Sequence, residues 1–510
     1  MTSRVLGVVR EQVLAAYFGA GNAMDAFNVA FRIPNLVRDL FAEGAMSAAF
    51  VPTFTRRLTQ EGKESAWRLG NNVITALLVI TVLLVVLGIV FADPLVRLLA
   101  GDYADVAGKL ELTVLLTRIM LPFLTLVALA AAFMGMLNAL HHFFIPALAP
   151  AMFNVGTLIT VIALVPLMPR WGLPAVTAVA LGTVVGGFLT TAMQWPTLAR
   201  EGFAYRPRLD VHDEGLRRVL TLMGPGTIGL AATQVNVFVN TILATGAGTG
   251  AVSWLNYAFR LMYLPIGLFG VSIATAAVPA VSRQAAAEDR AGIRRTVADA
   301  LSLMLMLNVP ATIGLIALAI PVIRVIFERR AFTPEDTIAT AAALQFYAIG
   351  LVGYSVVRIA SPTFYALNDS RTPVTVSMVS VLVNAALNIA LVRVMGYRGL
   401  ALGTSIAALV NAATLLVLLR RRLDGLEERR VFTALAKITI ASLAMGATAA
   451  AVDWYAAIWL PGDALLLQIA RLAAAIGIAV LVLAVAAHLL HIDEFRRGVT
   501  LITSRFRRRP

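Results

Sequence analysis

Residues 73–92 read VITALLVITVLLVVLGIVFA, a run of twenty residues that contains no charged side chain. A helix of that length spans about 30 Å, which is the hydrocarbon thickness of a bilayer. The whole chain agrees, because 59% of its 510 residues are hydrophobic, 14% are charged and its mean hydropathy is +0.83. A soluble domain so apolar lacks the polar residues to cover its surface. The composition therefore predicts a membrane protein.

Similar apolar stretches recur along the chain and predict an all-α, polytopic fold with about 14 transmembrane helices. The first stretch begins at Met1 without a cleavable-signal pattern, so we expect either a chain start placed too late or an incomplete first span. The fourteen spans are expected near residues 1–18, 26–50, 73–96, 111–138, 145–168, 173–198, 218–245, 253–280, 298–326, 337–367, 373–394, 399–421, 433–456 and 464–490.

The basic residues are unevenly divided between the two sets of connections. One alternate set, with the C-terminal tail FRRGVTLITSRFRRRP, carries roughly 25 Lys and Arg, and the opposite set carries roughly 8. Positive residues stay on the cytoplasmic side, so both termini are expected in the cytoplasm. The net charge of +14 is thus explained by basic residues in the connections between spans, and it does not indicate nucleic acid as a partner. The chain has no cysteine, which excludes disulfides and thiolate metal sites.

An internal repeat divides the chain. Asn28–Arg32, NVAFR, recurs 228 positions later as NYAFR, Asn256–Arg260, and further matches follow at the same spacing within one residue. Six spans separate the copies, so both halves enter the membrane in the same sense, as in parallel-repeat transporters. We expect two parallel six-helix lobes plus two extra C-terminal helices, which form an alternating-access carrier: an N-terminal lobe 1–198, a C-terminal lobe 199–421, and a segment 422–510 with spans 13 and 14 and a basic cytoplasmic tail.

Charged residues stand inside the first two spans and the eighth, where the bilayer penalises them. An arginine at the centre of a spanning helix costs about 2.5–3.5 kcal/mol on insertion scales. Guanidinium groups that line a cavity suit a phosphate or diphosphate, because each can bind two oxygens. The alternative, that some of them snorkel to the interface or pair with acidic neighbours, stays open, and Arg32 fits it best. The candidates are Arg4, Arg10, Glu11, Asp25, Asn35, Arg38, Ser253 and Arg260.

Other motifs are weak. There is no GxxxxGK[ST] or HExxH pattern, so neither an ATP-driven module nor a zinc site is indicated, and no cofactor is expected. Polar residues on the seventh, eleventh and twelfth spans are at most weak candidates for a sodium site, because no carboxylate stands among them, and packing between helices is the favoured interpretation. They are Asn240, Asn384, Asn388 and Thr404.

Several motifs together resemble one family. They are Ser3–Glu11 (SRVLGVVRE), Asp25–Phe27, Pro34–Leu36, Phe41–Ala45 (FAEGA) and Ser253–Trp254. These motifs and the fourteen-span layout resemble the MurJ (MviN) lipid II flippase family, within the multidrug/oligosaccharidyl-lipid/polysaccharide exporter superfamily. The resemblance implies a non-enzymatic flippase in the bacterial inner membrane. It would move the undecaprenyl-diphosphate-linked peptidoglycan precursor from the cytoplasmic to the periplasmic leaflet for cell wall synthesis.

The resemblance also implies roles for individual residues. Essential arginines of the family match Arg10, Arg38 and Arg260, with Arg4 as a fourth, and the other functionally sensitive positions match Glu11, Asp25, Asn35 and Ser253. Carboxylates that coordinate sodium in some relatives are replaced by Asn240 and Asn388, and neutral amides weaken a cation site. The last two spans would hold the polyprenyl tail. The expected partners are lipid II, membrane lipids, and proteins of cell wall synthesis and division.

Three other functions are alternatives for a chain of this composition. An antiporter of cationic drugs would carry acidic cavity residues and about twelve spans. A flippase for another polyprenyl-diphosphate oligosaccharide, such as an O-antigen unit, fits the arginines equally well, and only the family signature argues against it. A membrane transferase that acts on polyprenyl phosphates would need an acidic metal-binding cluster such as DDxxD, which the sequence lacks.

Overall fold

The computed structural model describes residues 2–38 and 46–496, and it excludes within them the side chains of residues 2, 4, 37, 46–48, 223–233, 269 and 271. The side chain of the candidate Arg4 and the signature residues 41–45 therefore lie outside the described part. Every regular element in the described ranges is helical, which confirms the predicted all-α class.

The helices of the first compact unit come from Met1–Ser253, which is joined by Arg329–Phe332. A short 3-10 turn follows α5 at Gly101–Asp105, and another lies at Met168–Trp171. The helices are α1 (Thr2–Phe18), α2 (Asn22–Arg38), α3 (Met46–Gln60), α4 (Lys63–Val90), α5 (Ala92–Ala100), α6 (Lys109–Met120), α7 (Phe123–Ala139), α8 (Phe144–Leu164), α9 (Thr177–Ala192), α10 (Trp195–Arg200), α11 (Glu214–Thr245) and the start of α12 (Ala251–Pro265).

The second unit takes up the chain at Trp254 and includes the rest of α12. A turn of π-helix at Ile266–Gly270 separates α12 from α13, where the chain bends by 43°. The lobe boundaries expected from the repeat stay a prediction. The further helices are α13 (Val271–Ala286), α14 (Arg290–Ala317), α15 (Ala319–Phe327), α16 (Pro334–Ile349), α17 (Leu351–Ala366), α18 (Arg371–Met395), α19 (Tyr397–Leu423), α20 (Glu428–Trp459) and α21 (Leu465–Leu489).

Membrane-spanning helices dominate the described part of the chain. Ten helical segments are long and apolar enough to cross a bilayer, or eleven if the bent α12–α13 pair is one span. Of the remaining predicted spans, 1–18 coincides with α1 and 218–245 lies within α11. The predicted span 26–50 covers most of α2, residues 39–45, which lie outside the described part, and the beginning of α3. Helices α1 and α2 have 17 residues each and carry charged candidates. The predicted polytopic architecture is confirmed.

The repeat is visible in the helix bounds. Helices α4 and α14 both contain 28 residues and begin at Lys63 and Arg290, 227 positions apart. Each is followed by a nine-residue helix, α5 at Ala92 and α15 at Ala319, again 227 positions apart. Two copies of one helix pattern therefore lie in the two units, as the NVAFR and NYAFR motifs predict.

Glycines allow α8 and α9 to pack closely. A Cβ atom on Gly186 would lie 2.5 Å from the carbonyl oxygen of Phe153, and one on Gly156 would lie 2.8 Å from the Cα of Gly186. Lipid tails are as apolar as the helix surfaces, so helices associate in the bilayer through close packing rather than hydrophobic exclusion. Gly182 and Gly186 stand four residues apart on α9 and form the small-residue stripe that this packing requires.

Two buried asparagines on α4 hold the extended connection between α10 and α11. Asn71 donates to the carbonyl of Ala204 at 3.2 Å and accepts from the amide of Arg206 at 3.0 Å. Asn72 donates to the carbonyl of Asp210 at 2.9 Å and accepts from its amide at 2.8 Å. Each side-chain amide thus satisfies both a donor and an acceptor of the connection, and this explains two polar residues at one end of an apolar span.

Glu201 joins three segments of the first unit on the side predicted to be cytoplasmic. It accepts from Lys63 Nζ at 2.8 Å and lies 2.9 Å from His142 Nε2. The Lys63 hydrogen bond, followed by the one to His142, lowers the pKa of the Glu201 carboxyl below its ordinary value. The carboxylate is therefore ionised at neutral pH and ties α4, the α7–α8 connection and the end of α10 together.

We expect Glu201→Gln to lower the stability of the protein at neutral pH by about 1 kcal/mol or less, the usual contribution of a solvent-accessible ion pair. Because the folded pKa is depressed, this contribution is present above the unfolded pKa and is lost as the pH falls through the folded value. Thermal unfolding of the two proteins in detergent should therefore differ at pH 7 and converge as the pH falls below about 4. Glu64→Gln is the control, because Glu64 pairs with Arg68 on an exposed surface. A difference that stays constant with pH would contradict the ion-pair explanation.

Gly186→Val should destabilise the fold by about 1–3 kcal/mol, because the larger side chain would push α8 and α9 apart. The matched control is Gly477→Val on α21, where an added Cβ meets no atom within 4 Å. Apparent unfolding temperatures in one detergent would measure both effects. Equal unfolding temperatures for the two variants would show that the close approach of Gly186 to Phe153 does not restrict the size of the side chain at position 186.

Candidate functional site

Arg10 is buried on α1. Its side chain donates from Nη2 to Glu11 Oε1 at 2.7 Å, and its Cζ lies 5.2 Å from the ring centre of Phe153 on α8. Only 9% of Arg10 is exposed, and its buried Nε has no hydrogen-bond partner among the residues that the structure describes. The neighbouring carboxylate neutralises the guanidinium, while one donor is left for a further acceptor.

The last turn of α2 carries Asn35 and Arg38. They are three residues apart, so their side chains share a face of the helix, and both are half-buried. Pro34 lies inside the same helix and removes one backbone hydrogen bond from it. The Oδ1 atom of Asn35 is buried and has no partner within the described ranges. This turn therefore places an amide beside a guanidinium.

Asp25 accepts four hydrogen bonds from three residues of the first unit. The residue is completely buried, and its Oδ2 lies 2.9 Å from Lys109 Nζ and accepts from the Gly250 amide at 2.7 Å. Its Oδ1 accepts from the Ser253 amide at 3.1 Å and from the Ser253 hydroxyl at 2.8 Å. The two amides stand at the beginning of α12, where backbone donors have no intrahelical partner. Asp25 thus caps α12 from another helix.

Two further side chains complete this cluster. Asn28 Nδ2 donates to the Ser253 hydroxyl at 3.2 Å, and Lys109 Nζ lies 4.0 Å from the ring centre of Tyr103. Lys109 is not among the residues predicted from the sequence. It stands just before the predicted span 111–138, so it resembles an ordinary basic residue of a connection between spans. The sequence analysis considered pairing only between the arginines and acidic neighbours, whereas Asp25 pairs with this lysine at 2.9 Å. Asp25 and Ser253 were candidates from the sequence, and Asn28 was noted there only as the first residue of the repeated motif.

Arg260 lies on the part of α12 that belongs to the second unit and is half-buried. One turn further along, Tyr263 accepts a hydrogen bond from Arg358 on α17. The Arg358 Cζ also lies 5.7 Å from the Tyr263 ring centre. Sequence reasoning did not single out Arg358, although an arginine inside the predicted span 337–367 is the same signal that identified Arg260.

Three of the four weak sodium-site candidates are joined by neutral hydrogen bonds in the second unit. Asn388 Nδ2 donates to Asn384 Oδ1 at 3.1 Å, and Asn384 Nδ2 donates to Thr404 Oγ1 at 3.3 Å, which links α18 to α19. Asn240 lies on α11 in the first unit. Among the described residues, no group of three His, Asp or Glu could hold a metal ion. The Asn384–Thr404 hydrogen bond thus joins two helices of the second unit.

The chain is similar to known flippases over most of its length. The family model described as lipid II flippase MurJ matches residues 14–470. A protein of Bdellovibrio bacteriovorus named probable lipid II flippase MurJ is 35% identical over 447 residues, which cover 87% of this chain and 84% of the relative. The lipid II flippase MurJ of Burkholderia cenocepacia is 34% identical and is covered to 82%, against 83% of this chain.

Solved structures give the same result. A lipid II flippase MurJ in an inward closed conformation aligns with a TM-score of 0.78 at 27% identity, over 96% of this chain and 97% of that one. An inward-facing multidrug resistance transporter of the MATE family, itself a member of the MOP superfamily, aligns with a TM-score of 0.69 at 17% identity, over 84% of this chain and 96% of its own. The second likeness concerns the fold alone. The motifs, the family model and the relatives agree, and the chain belongs to the lipid II flippase MurJ family.

Proposed function

We propose that the protein is a lipid II flippase of the bacterial inner membrane, with both termini in the cytoplasm. It moves the undecaprenyl-diphosphate-linked precursor of peptidoglycan to the periplasmic leaflet for cell wall synthesis. The observation that carries this proposal is the buried Arg10, whose guanidinium keeps an unused donor inside a membrane helix. Such a group is costly in a bilayer unless it has a task, and a diphosphate is the ligand that its geometry suits.

In this mechanism the arginines bind the diphosphate of the lipid while its headgroup is carried across the membrane. Arg10, Arg38 and Arg260 bind its oxygens, with Arg4 as a fourth, and Asn35 supplies an amide beside Arg38. Glu11 holds the Arg10 side chain through their 2.7 Å hydrogen bond. The lobes then rock so that the headgroup meets the periplasm while the tail remains in lipid. No covalent bond changes, so the protein is not an enzyme.

Asp25 and Ser253 serve the site indirectly. Asp25 is completely buried and already accepts four hydrogen bonds, so it contributes to binding by positioning the beginning of α12. Arg260 follows Ser253 by seven residues, two turns along the same helix. A shift of the cap would therefore displace this arginine from the substrate.

The membrane potential offers a bias for the cycle. Moving one charge across 100 mV is worth about 2.3 kcal/mol, and the site arginines carry positive charge. The neutral amides at Asn240 and Asn388 make sodium an unsuitable driving ion. The protein partners are expected among those that synthesise the wall or divide the cell.

We expect Arg10→Ala and Arg260→Ala to abolish function, because each removes charge-assisted hydrogen bonds worth about 1.5–3 kcal/mol, which is roughly a tenfold loss of binding or more. The measurement is growth of a bacterium that is depleted of its own lipid II flippase and supplied with each variant. Wild type and the control Arg68→Ala should rescue, since Arg68 forms only an exposed pair with Glu64. Immunoblots of membrane fractions would verify expression.

Two results would contradict this mechanism. Unchanged binding of an undecaprenyl-diphosphate lipid by the Arg10→Ala/Arg260→Ala double variant would show that these two arginines do not bind the diphosphate. Failure of the wild type to rescue, although it is present in the membrane, would indicate a different polyprenyl-diphosphate oligosaccharide as the substrate.

Asp25→Asn should destabilise the protein by about 3–5 kcal/mol, because it leaves the buried Lys109 charge without a counter-ion. Adding Lys109→Met should recover much of that loss, since replacing both members of a buried pair is often nearly neutral. Thermal unfolding of the two single variants and the double variant measures the coupling. Asp93→Asn is the control, because it breaks a 2.8 Å pair with Arg97 on the surface. Weaker lipid binding by Asp25→Asn with an unchanged unfolding temperature would instead give Asp25 a direct role in binding.

A further inference from the structure

An apolar groove of about 470 Å³ opens on the first unit, beside the end of α4. It is lined by residues of α2, α4, α5 and α11 and of the junction between α6 and α7, and every one of them is apolar. The buried side chains of Leu121 and Leu124 form its floor, and the exposed Leu87 and Leu98 stand at its rim. We call it the α4 groove. Leu87 is exposed on α4, which is long and apolar enough to span a bilayer, so we expect the open side of the groove to meet lipid.

The wall of the α4 groove contains a glycine at the point where α4 meets Leu121. A Cβ atom on Gly88 would lie 3.0 Å from both terminal methyl carbons of Leu121. No side chain can therefore stand between the two helices there without displacing the leucine. The groove keeps its depth because Gly88 has no side chain.

A positive charge stands beside the groove. Arg118 on α6 lies three residues before Leu121 and is exposed, and its Nε donates to the carbonyl of Ile89, the neighbour of Gly88. Among the residues that the structure describes, no carboxylate lies within ion-pair distance of Arg118. By contrast, Arg97 on α5 is paired with Asp93 at 2.8 Å. Arg118 therefore offers a guanidinium without a counter-ion near the end of a membrane-spanning helix.

We propose that the α4 groove binds one acyl chain of a bilayer phospholipid, whose phosphate accepts hydrogen bonds from Arg118. Arginine side chains in spanning helices extend towards the interface, where lipid phosphates lie, and guanidinium binds phosphate oxygens in pairs. The site is independent of the proposed flipping activity. Under the proposed orientation it takes its lipid from the outer leaflet.

The lining of the groove suits the acyl chain of a lipid, because every lining residue is apolar and the groove has a volume of about 470 Å³. The charge is also complementary, because an anionic phospholipid brings the negative group that Arg118 lacks.

Native mass spectrometry of the purified full-length protein with added phosphatidylglycerol tests the groove. Leu84→Trp should fill it, because Leu84 lines its wall, and we expect bound lipid to fall at least fivefold. The matched control is Leu83→Trp, the same change on the next residue of α4, which is 57% exposed and lies outside the groove. Equal lipid retention by the two variants would overturn the proposal.

Arg118→Gln tests the headgroup contact separately and changes only an exposed side chain. We expect it to bind phosphatidylglycerol about tenfold more weakly and to bind diacylglycerol, which has no phosphate, as the wild type does. Arg97→Gln is the control and should bind both lipids normally. Unchanged phosphatidylglycerol binding by Arg118→Gln would overturn the headgroup assignment. Displacement of the lipid by equimolar undecaprenyl phosphate in wild type would make the polyprenyl tail the occupant and overturn the proposal.

Discussion

The structure depends on one constraint: a polar group inside a bilayer finds no water and must be satisfied by the protein or by a ligand. The buried carboxylate of Asp25 meets it with an ammonium, two amides and a hydroxyl. Asn71 and Asn72 meet this constraint by hydrogen bonding to both amides and carbonyls of the extended connection beside them. Arg10 meets it only in part, since its Nε has no partner among the described residues. Asp25 and Arg10 thus differ in how completely their hydrogen bonds are made within the described part of the protein.

The sequence was sufficient to predict the architecture. Apolar length alone located most of the spans, because a helix in lipid must be about 20 residues long whatever it contacts. The repeat motifs predicted a duplicated helix pattern, and α4 and α14 display it with equal lengths 227 positions apart. The family followed from short motifs in α1, α2 and α12. None of these inferences needed to know which helices touch.

The sequence was less informative about partners in the candidate site. Lys109 lies 84 residues from Asp25, and nothing in either neighbourhood indicates that they meet. Arg358 lies 95 residues from Tyr263 and escaped notice for the same reason. Side-chain pairs of this kind are created by tertiary packing, so the spacing of residues along the chain does not encode them. What could be predicted was that buried charges would need partners, and Asp25 and Glu11 both have one.

The hold of Asn71 and Asn72 on the α10–α11 connection has a consequence for biogenesis. Their backbone partners lie 133 to 138 residues later in the chain, so α4 leaves the ribosome long before Ala204 and Asp210 exist. During that interval water at the membrane surface must satisfy the two amides, which keeps this end of α4 near the interface. The hydrogen bonds between these two asparagines and the α10–α11 connection can therefore form only once that connection has been synthesised.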